Sequence, residues 1–249
     1  MTPALETRGL CKSFGALTVA DHIDFRLEPG VRHALIGPNG AGKTTFVNMI
    51  TGAVAPSAGT VLLGGEDVTR LSQAARVKRG LGRTFQINTL FRSMTVLDNV
   101  ALGVAERRAV GDRRWRPASA YREVREEARE LLATFGLHHD ASARVMDLPY
   151  GKQRLVEIAI ALGLKPTVLL LDEPAAGVPS LDSARIIEAL ERLPADIAIL
   201  IIEHDMDVVF RFARRVTVLV QGVVLCEGPP SEIAADPRVR EVYLGERHG

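Results

Sequence analysis

Gly37-Pro38-Asn39-Gly40-Ala41-Gly42-Lys43-Thr44, continued by Thr45, is the most informative run in the chain. An apolar run from Val31 to Ile36, interrupted by Arg32 and His33, precedes it. Phe46, Val47, Met49 and Ile50 follow at helical spacing. Strand, glycine-rich loop and helix, with the spacing G-x-x-x-x-G-K-[ST], predict a phosphate-binding loop. Glycines permit positive φ and present no Cβ, so successive backbone N–H groups can wrap an anion. The following helix turns its unpaired donors and the positive end of its dipole toward the same phosphates. Lys43 supplies a point charge for the β- and γ-phosphates, and Thr44 a hydroxyl for Mg²⁺. Taken alone, the same residues also describe an ordinary turn between a strand and a helix, so the rest of the chain must supply the context.

The chain has 249 residues, two cysteines and a formal net charge of +1. That length accommodates one large α/β domain, or a core with a subdomain. Near-zero charge argues against an electrostatic nucleic-acid binder. Cys11 and Cys226 form neither a disulfide framework nor a metal-ligand spacing, which points to a reducing compartment. Met1 to Gly9 lacks the apolar core of a signal sequence. No stretch approaches the roughly 18 apolar residues needed to span a bilayer. The expectation is a soluble chain, or one held at a membrane only by partners.

Strands are predicted at Leu5 to Leu10 and around Val19 to Leu27, where Ile23, Phe25 and Leu27 alternate with Asp24 and Arg26. Phe14 precedes Lys43 by 29 positions; it is either a core residue or an exposed ring on which adenine can stack. Thr60 to Leu63 and Glu66 to Val68 read as a hairpin. Gln86 closes the segment Arg79 to Gln86, and at a strand end a glutamine is ordinarily solvated. From Ile87 to Leu148 no strand signal appears, and Tyr121, Val124, Ala128, Leu131, Leu132 and Phe135 mark one face of an amphipathic helix. This segment is predicted to be a helical subdomain inserted in the α/β core. Its arginine cluster (Arg107, Arg108, Arg113, Arg114 and Arg116, around Trp115) reads as a solvated loop, with lipid headgroups or a partner as the alternative. Leu148 to Gln153 starts a helix running to Gly163.

Val168 to Leu171 is a strand buried on both faces, as in a parallel sheet, and Asp172 and Glu173 stand at its carboxyl end. Asp172 can hold Mg²⁺ and Glu173 can take a proton from an attacking water; the alternative is that both cap the next helix. Ile197 to Ile202 is a second buried strand, ending at Glu203-His204-Asp205. Gly37, Asp172 and His204 therefore all follow apolar strands and can gather along one sheet edge. His204 can there bond a γ-phosphate or position water.

The order of these pieces resembles an ATP-binding-cassette ATPase, over essentially the whole chain. Gly37 to Thr45 matches the Walker A loop (Gly37, Pro38, Asn39, Gly40, Ala41, Gly42, Lys43, Thr44 and Thr45), Gln86 the Q-loop glutamine, and Leu148 to Gln153 the signature loop. Val168 to Asp172 matches Walker B. Glu173 falls at the catalytic-base position, His204 at the switch histidine, and Phe14 at the aromatic that stacks on adenine. The resemblance implies a P-loop NTPase core, a mixed sheet with an antiparallel N-terminal β subdomain, over residues 1–86 and 156–249. It places the helical subdomain, ending in the signature loop, at 87–155. It implies ATP and Mg²⁺, with the metal held by Thr44, Gln86 and Asp172, catalysis by Glu173, His204 and Gln86, and nucleotide contact by Tyr150, Gly151, Lys152 and Gln153.

Gly80 to Gln86, Leu90 to Val96, Asp172 to Gly177, Ile202 to Met206 and Asp236 to Gly245 look like the ATPase of branched-chain amino acid importers. That likeness implies two membrane permeases, a second cassette of the same or another kind, an external substrate-binding protein, no nucleic acid, and a peripheral place on the cytoplasmic face of the inner (plasma) membrane. Importers of urea, amides or aromatic acids are similar, as is a lipopolysaccharide-export ATPase, which Arg83 to Gln86 resembles less. A soluble cassette acting on ribosomes or DNA would usually carry two cassettes or a coiled-coil insertion, and a small kinase would need neither signature loop nor His204. Two residues depart from the pattern. Pro149 replaces the signature serine and cannot donate its hydrogen bond, and Pro179 replaces a polar residue of the D-loop.

Overall fold

A computed structural model describes residues 2–84, 90–109 and 118–245. The first elements are strands β1 (Leu5–Phe14), β2 (Leu17–Leu27) and β3 (Arg32–Ile36), then helix α1 (Lys43–Thr51), then β4 (Ala58–Leu63), β5 (Glu66–Asp67) and the short helix α2 (Gln73–Val77). β6 (Leu81–Arg83) leads to helices α3 (Val96–Arg107), α4 (Ala118–Thr134) and α5 (Tyr150–Gly163). The remainder is β7 (Val168–Asp172), α6 (Ser180–Glu191), β8 (Ala198–Ile202), α7 (Met206–Phe212), β9 (Arg215–Val220), β10 (Val223–Gly228), α8 (Pro230–Ala235) and α9 (Pro237–Gly245). No described helix is long and apolar enough to cross a membrane.

The chain forms two compact units, one of Met1–Leu81, Thr167–Glu173 and Pro194–Gly249, the other of Gly82–Pro166 and Pro174–Leu193. The first contains the antiparallel sheet β2-β1-β4-β5 and the strand order β10-β9-β3-β8-β7 of a mixed sheet. β3, β7, β8 and β9 run parallel, and β10 returns antiparallel on β9. This is the mixed sheet with an antiparallel N-terminal companion that the sequence predicts. Val168 to Leu171 and Ala198 to Ile201 are wholly buried. Burial of each large aliphatic side chain there stabilises by roughly 1.5–3 kcal/mol. Continuous apolar runs arise because each such strand has core on both faces.

α1 is held at its C-terminal end by Arg76, which is 1% exposed. Its guanidinium donates to Met49 O (2.7 Å), Ile50 O (2.6 Å), Thr69 O (2.8 Å) and Leu71 O (3.2 Å). The first two carbonyls lie in the last turn of α1, where a cation also meets the negative end of the helix dipole.

In the second unit α3 packs on α4 and α5. Thr95 caps α3 by accepting from the Asp98 N–H. Val124, Ala128, Leu132 and Phe135 are buried as the periodicity predicts, whereas Tyr121 is 52% exposed and leaves that face. The expected Arg122–Glu126 pair forms at 3.7 Å. Arg107 and Arg108 both bind the Glu127 carboxylate, so these two arginines are part of an α3–α4 clamp. Arg113, Arg114, Trp115 and Arg116 lie outside the described residues.

Candidate nucleotide site

Parallel register brings the chemistry to one sheet edge. Leu35 of β3 stands beside Ile202 of β8, which stands beside Asp172 of β7. Gly37, Glu203 and Glu173 are therefore each the first or second residue past the same line, where α/β sheets gather ligands.

The phosphate loop is built as its composition requires. Gly37 (φ 154°) passes so close to the last central strand that a Cβ would lie 2.1 Å from Leu219 O. Gly42 (φ 100°) caps α1 in the left-handed region, where a Cβ would lie 2.6 Å from Val19 O. Neither position admits another residue without moving backbone. α1 has no side-chain cap and no acidic residue in its first turn, so its N-terminal amides face the loop's concavity unchallenged. Pro38 is half-buried, Asn39, Gly40 and Thr44 are exposed, Ala41 is buried and Thr45 is half-buried. The Lys43 ammonium folds back over the loop and donates to Gly37 O (2.6 Å) and Pro38 O (2.9 Å).

Asp172 ends β7. Glu173 then takes φ 45°, a left-handed conformation that costs a non-glycine residue roughly 1–3 kcal/mol. Its own N–H, bonded to Ile202 O at 2.9 Å, fixes this turn. The turn aims Glu173 Oε1 to within 3.5 Å of His204 Nδ1, and both side chains are substantially exposed. Behind them Glu203 is 1% exposed, and its Oε2 accepts from the His204 N–H at 3.3 Å. Asp205 caps α7 by accepting from the Asp207 and Val208 amides. Sequence reasoning gave Glu203 no role; a carboxylate flanking the predicted histidine was its only signal.

Phe14 is 53% exposed at the end of β1, which settles core against surface in favour of surface. Lys12 Nζ lies 4.9 Å from the ring centroid. The β1–β2 hairpin carrying the ring also carries Val19, whose carbonyl abuts Gly42, so ring and loop belong to one wall.

Thr44 offers a hydroxyl and Asp172 a carboxylate at this edge. A set of hard oxygen donors beside a phosphate cradle fits a hard cation such as Mg²⁺. Gln86, expected as a third ligand, lies outside the described residues.

The residues of the signature stretch sit in the second unit, at the start of α5. Pro149 is its N-cap and supplies no side-chain hydrogen bond. Gln153 is buried, with Nε2 donating to Leu148 O at 2.8 Å, and Lys152 is paired with Asp140 at 2.8 Å. Tyr150 OH accepts from Arg154, which also pairs with Glu157; burial pushes that carboxyl up to about 7. Gly151 is pressed on Asp182, where an added Cβ would meet Asp182 Cβ at 3.0 Å. Of this stretch, Tyr150 is exposed, Lys152 half-buried, and Gly151 and Gln153 buried.

A family model described as ABC transporter matches residues 20–176, and one described as branched-chain amino acid ATP-binding cassette transporter matches residues 223–249. The chain is 36% identical to the high-affinity branched-chain amino acid transport ATP-binding protein LivG of Escherichia coli K12, over 98% of each chain. Its fold matches the solved ADP conformation of an ATP-binding cassette of an ABC transporter, with a TM-score of 0.85, 31% identity, and 98% of this chain and 100% of that one covered. It also matches a dimeric ATP-binding cassette in a post-hydrolysis state bound to ADP and phosphate, with a TM-score of 0.76, 25% identity, and 91% and 98% covered. A phosphate loop, an acidic pair and a histidine aligned on one sheet edge, within a chain so matched, make this protein a member of the ABC transporter family: it is an ATP-binding cassette, and an ATPase.

Proposed function

We propose that this cassette hydrolyses ATP to drive an importer for branched-chain or related amino acids. The observation that carries the hydrolytic part is the parallel register of Leu35, Ile202 and Asp172, which sets loop, acids and histidine side by side. The triphosphate lies on the backbone amides that the loop of Gly37 to Thr45 leaves free, Pro38 having none, with Lys43 exchanging loop carbonyls for phosphate oxygens and the adenine on Phe14. Glu173 orients the attacking water and accepts its proton, and His204, beside Glu173, supports the γ-phosphate. Thr44, Asp172 and Gln86 would hold Mg²⁺, which would supply positive charge to offset that of the transferring phosphate. Most of the acceleration is electrostatic positioning.

In this reading the free amides at the start of α5, those of Tyr150, Gly151 and Lys152, serve the nucleotide of a second cassette, identical or different, while the Gln153 N–H donates to Pro149 O. Pro149 weakens that half-site by one donor, a bond worth roughly 1.5–3 kcal/mol when its partner is charged. The unit of Met1–Leu81, Thr167–Glu173 and Pro194–Gly249 acts as the catalytic core and that of Gly82–Pro166 and Pro174–Leu193 as the helical part, in place of the expected boundary at 155, which would cut α5, and Gln86 relays γ-phosphate occupancy. Two permeases hold the cassette at the cytoplasmic face of the membrane, and an external binding protein delivers cargo. The cargo assignment is supported by the end-to-end likeness to LivG and by the match over residues 223–249.

The test is a pull-down of the tagged chain from gently solubilised native membranes. Two multi-span proteins should co-purify, and the binding protein encoded with them should bind leucine, isoleucine or valine in titration. Preference for urea, amides or aromatic acids would redirect the cargo. Recovery of ribosomal or DNA-associated chains alone would overturn the transport reading.

A further inference from the structure

Away from the nucleotide site, the β1–β2 ladder is interrupted. Leu10 faces Ile23 and Lys12 faces Ala20, so Cys11 alone opposes both Asp21 and His22. This is a β-bulge, a device that re-aims side chains. His22 takes φ 48° there. One ligand atom each from Cys11, Asp21 and His22 lies within 4.8 Å of the others. His22 Nδ1 and Asp21 Oδ1 are 2.6 Å apart, on side chains 80% and 54% exposed, while Cys11 is half-buried. The His22 N–H donates to Cys11 Sγ at 3.2 Å, and Cys11 Sγ–H to Gly9 O at 3.4 Å.

We propose that Cys11, Asp21 and His22 form a surface site for a borderline-soft divalent cation, with Zn²⁺ as its natural occupant. A thiolate, an imidazole and a carboxylate are the three protein donor types that zinc accepts, and with one water they complete a tetrahedron. Zinc–sulfur bonds of about 2.3 Å and zinc–nitrogen or zinc–oxygen bonds of about 2.0–2.2 Å put tetrahedral ligand atoms roughly 3.5 Å apart. The three donors must therefore approach by little more than about 1 Å, within reach of rotations about the exposed Asp21 and His22 side chains. The 2.6 Å histidine–aspartate contact opens as both turn to the ion, and the imidazole binds as the neutral ring. The amide donated to the sulfur is the kind of outer contact that orients a coordinated ligand. Mg²⁺, which requires oxygen ligands, does not fit this set. The site is also separate from Thr44 and Asp172. The Asp21 N–H donates to Gly222 O, and the Gly222 N–H to Ala41 O, each at 2.9 Å, so two backbone bonds link the bulge to the phosphate loop.

The test titrates Co²⁺ into the full chain, untagged and reduced, on a Cys226→Ser background that leaves Cys11 as its one thiol. One equivalent should produce tetrahedral d–d bands and a near-ultraviolet thiolate-to-cobalt charge-transfer band. Zn²⁺ should displace it and excess Mg²⁺ should not. Cys11→Ser should abolish the charge-transfer band. Asp21→Asn and His22→Asn should each weaken binding by at least about tenfold. Asparagine tolerates the left-handed conformation at position 22, so this variant removes the ligand without straining the bulge. Metal-free melting temperatures within a few degrees of the parent would show that these losses are losses of ligands. Absence of the band from the Cys226→Ser protein, or unchanged affinity in both asparagine variants, would overturn the site.

Discussion

Replacing Arg76 by methionine tests how the phosphate helix is held. Methionine fills most of the buried volume but donates nothing. Met49 O keeps the Gly52 N–H as a partner at 3.2 Å, while Ile50 O, Thr69 O and Leu71 O lose the guanidinium. A buried acceptor left unsatisfied costs about 1–3 kcal/mol. Against this, burying a guanidinium carries a desolvation penalty of several kcal/mol that the variant escapes. Ile50 O stays buried and Thr69 O and Leu71 O part-buried, so three acceptors lose a bond where one charge is relieved, and the net destabilisation is about 2–3 kcal/mol. Urea unfolding followed by circular dichroism would read it as a lower midpoint at an unchanged slope. Because the last turn of α1 frays, ATP affinity should fall as well, although Lys43 and Thr44 are untouched. Arg76→Lys, with three donors on a point charge, should fall between the two. A methionine variant within about 1 kcal/mol of the parent would refute the reasoning, since it would mean that water or relaxation serves those carbonyls equally well.

Three further predictions concern pH, adenine and the signature. His33 is fully buried, with Nε2 on Thr217 Oγ1 at 2.8 Å, and burial pushes its pKa from 6.5 down to about 4. Between those values the unfolded chain binds a proton that the folded chain refuses, so stability falls as pH drops from 6.5 to 4, by about 3 kcal/mol. His33→Gln should remove that part of the slope, which urea titrations across the window would show. Phe14→Ala should raise the KM for ATP in line with a stacking loss of about 1–3 kcal/mol, and leave kcat within about twofold. Pro149→Ser restores a hydroxyl at the start of α5 and should strengthen ATP-dependent dimerisation, by about tenfold or more, in sedimentation at fixed nucleotide.

The parts of this protein that could be read before folding are those whose signal is local. Gly37 to Thr44 declares a strand–loop–helix unit within eight residues. Val168 to Leu171 declares a two-sided burial, and Asp172 and Glu173 follow it directly. Register then did what spacing alone could only suggest, because Leu35, Ile202 and Asp172 are neighbours only across strands. Phe14 had two readings because an aromatic near a strand end looks the same whether it faces the core or water; its 53% exposure is a tertiary fact. Nothing along the chain singles out Arg76, because only the folded chain brings Met49 and Ile50 to it. Gln153 joins the nucleotide contacts only by resemblance, whereas its burial and its bond to Leu148 O come from the fold. α6 was passed over although Ile186, Ile187 and Leu190 carry helical spacing, because Pro179 at its N-cap reads as part of a loop. The pairing of Cys11 with Asp21 and His22 depends on a bulge between strands, which no spacing along the chain announces.

The measurement that bears most directly on the sheet-edge account is ATP binding and hydrolysis by Glu173→Gln, side by side with the parent. The account predicts unchanged ATP affinity, because Gly37 to Thr45 and Phe14 are intact, with turnover reduced by about 10²-fold or more, the share that a positioned base contributes. Near-normal hydrolysis by the glutamine variant would contradict it and remove Glu173 from the chemistry.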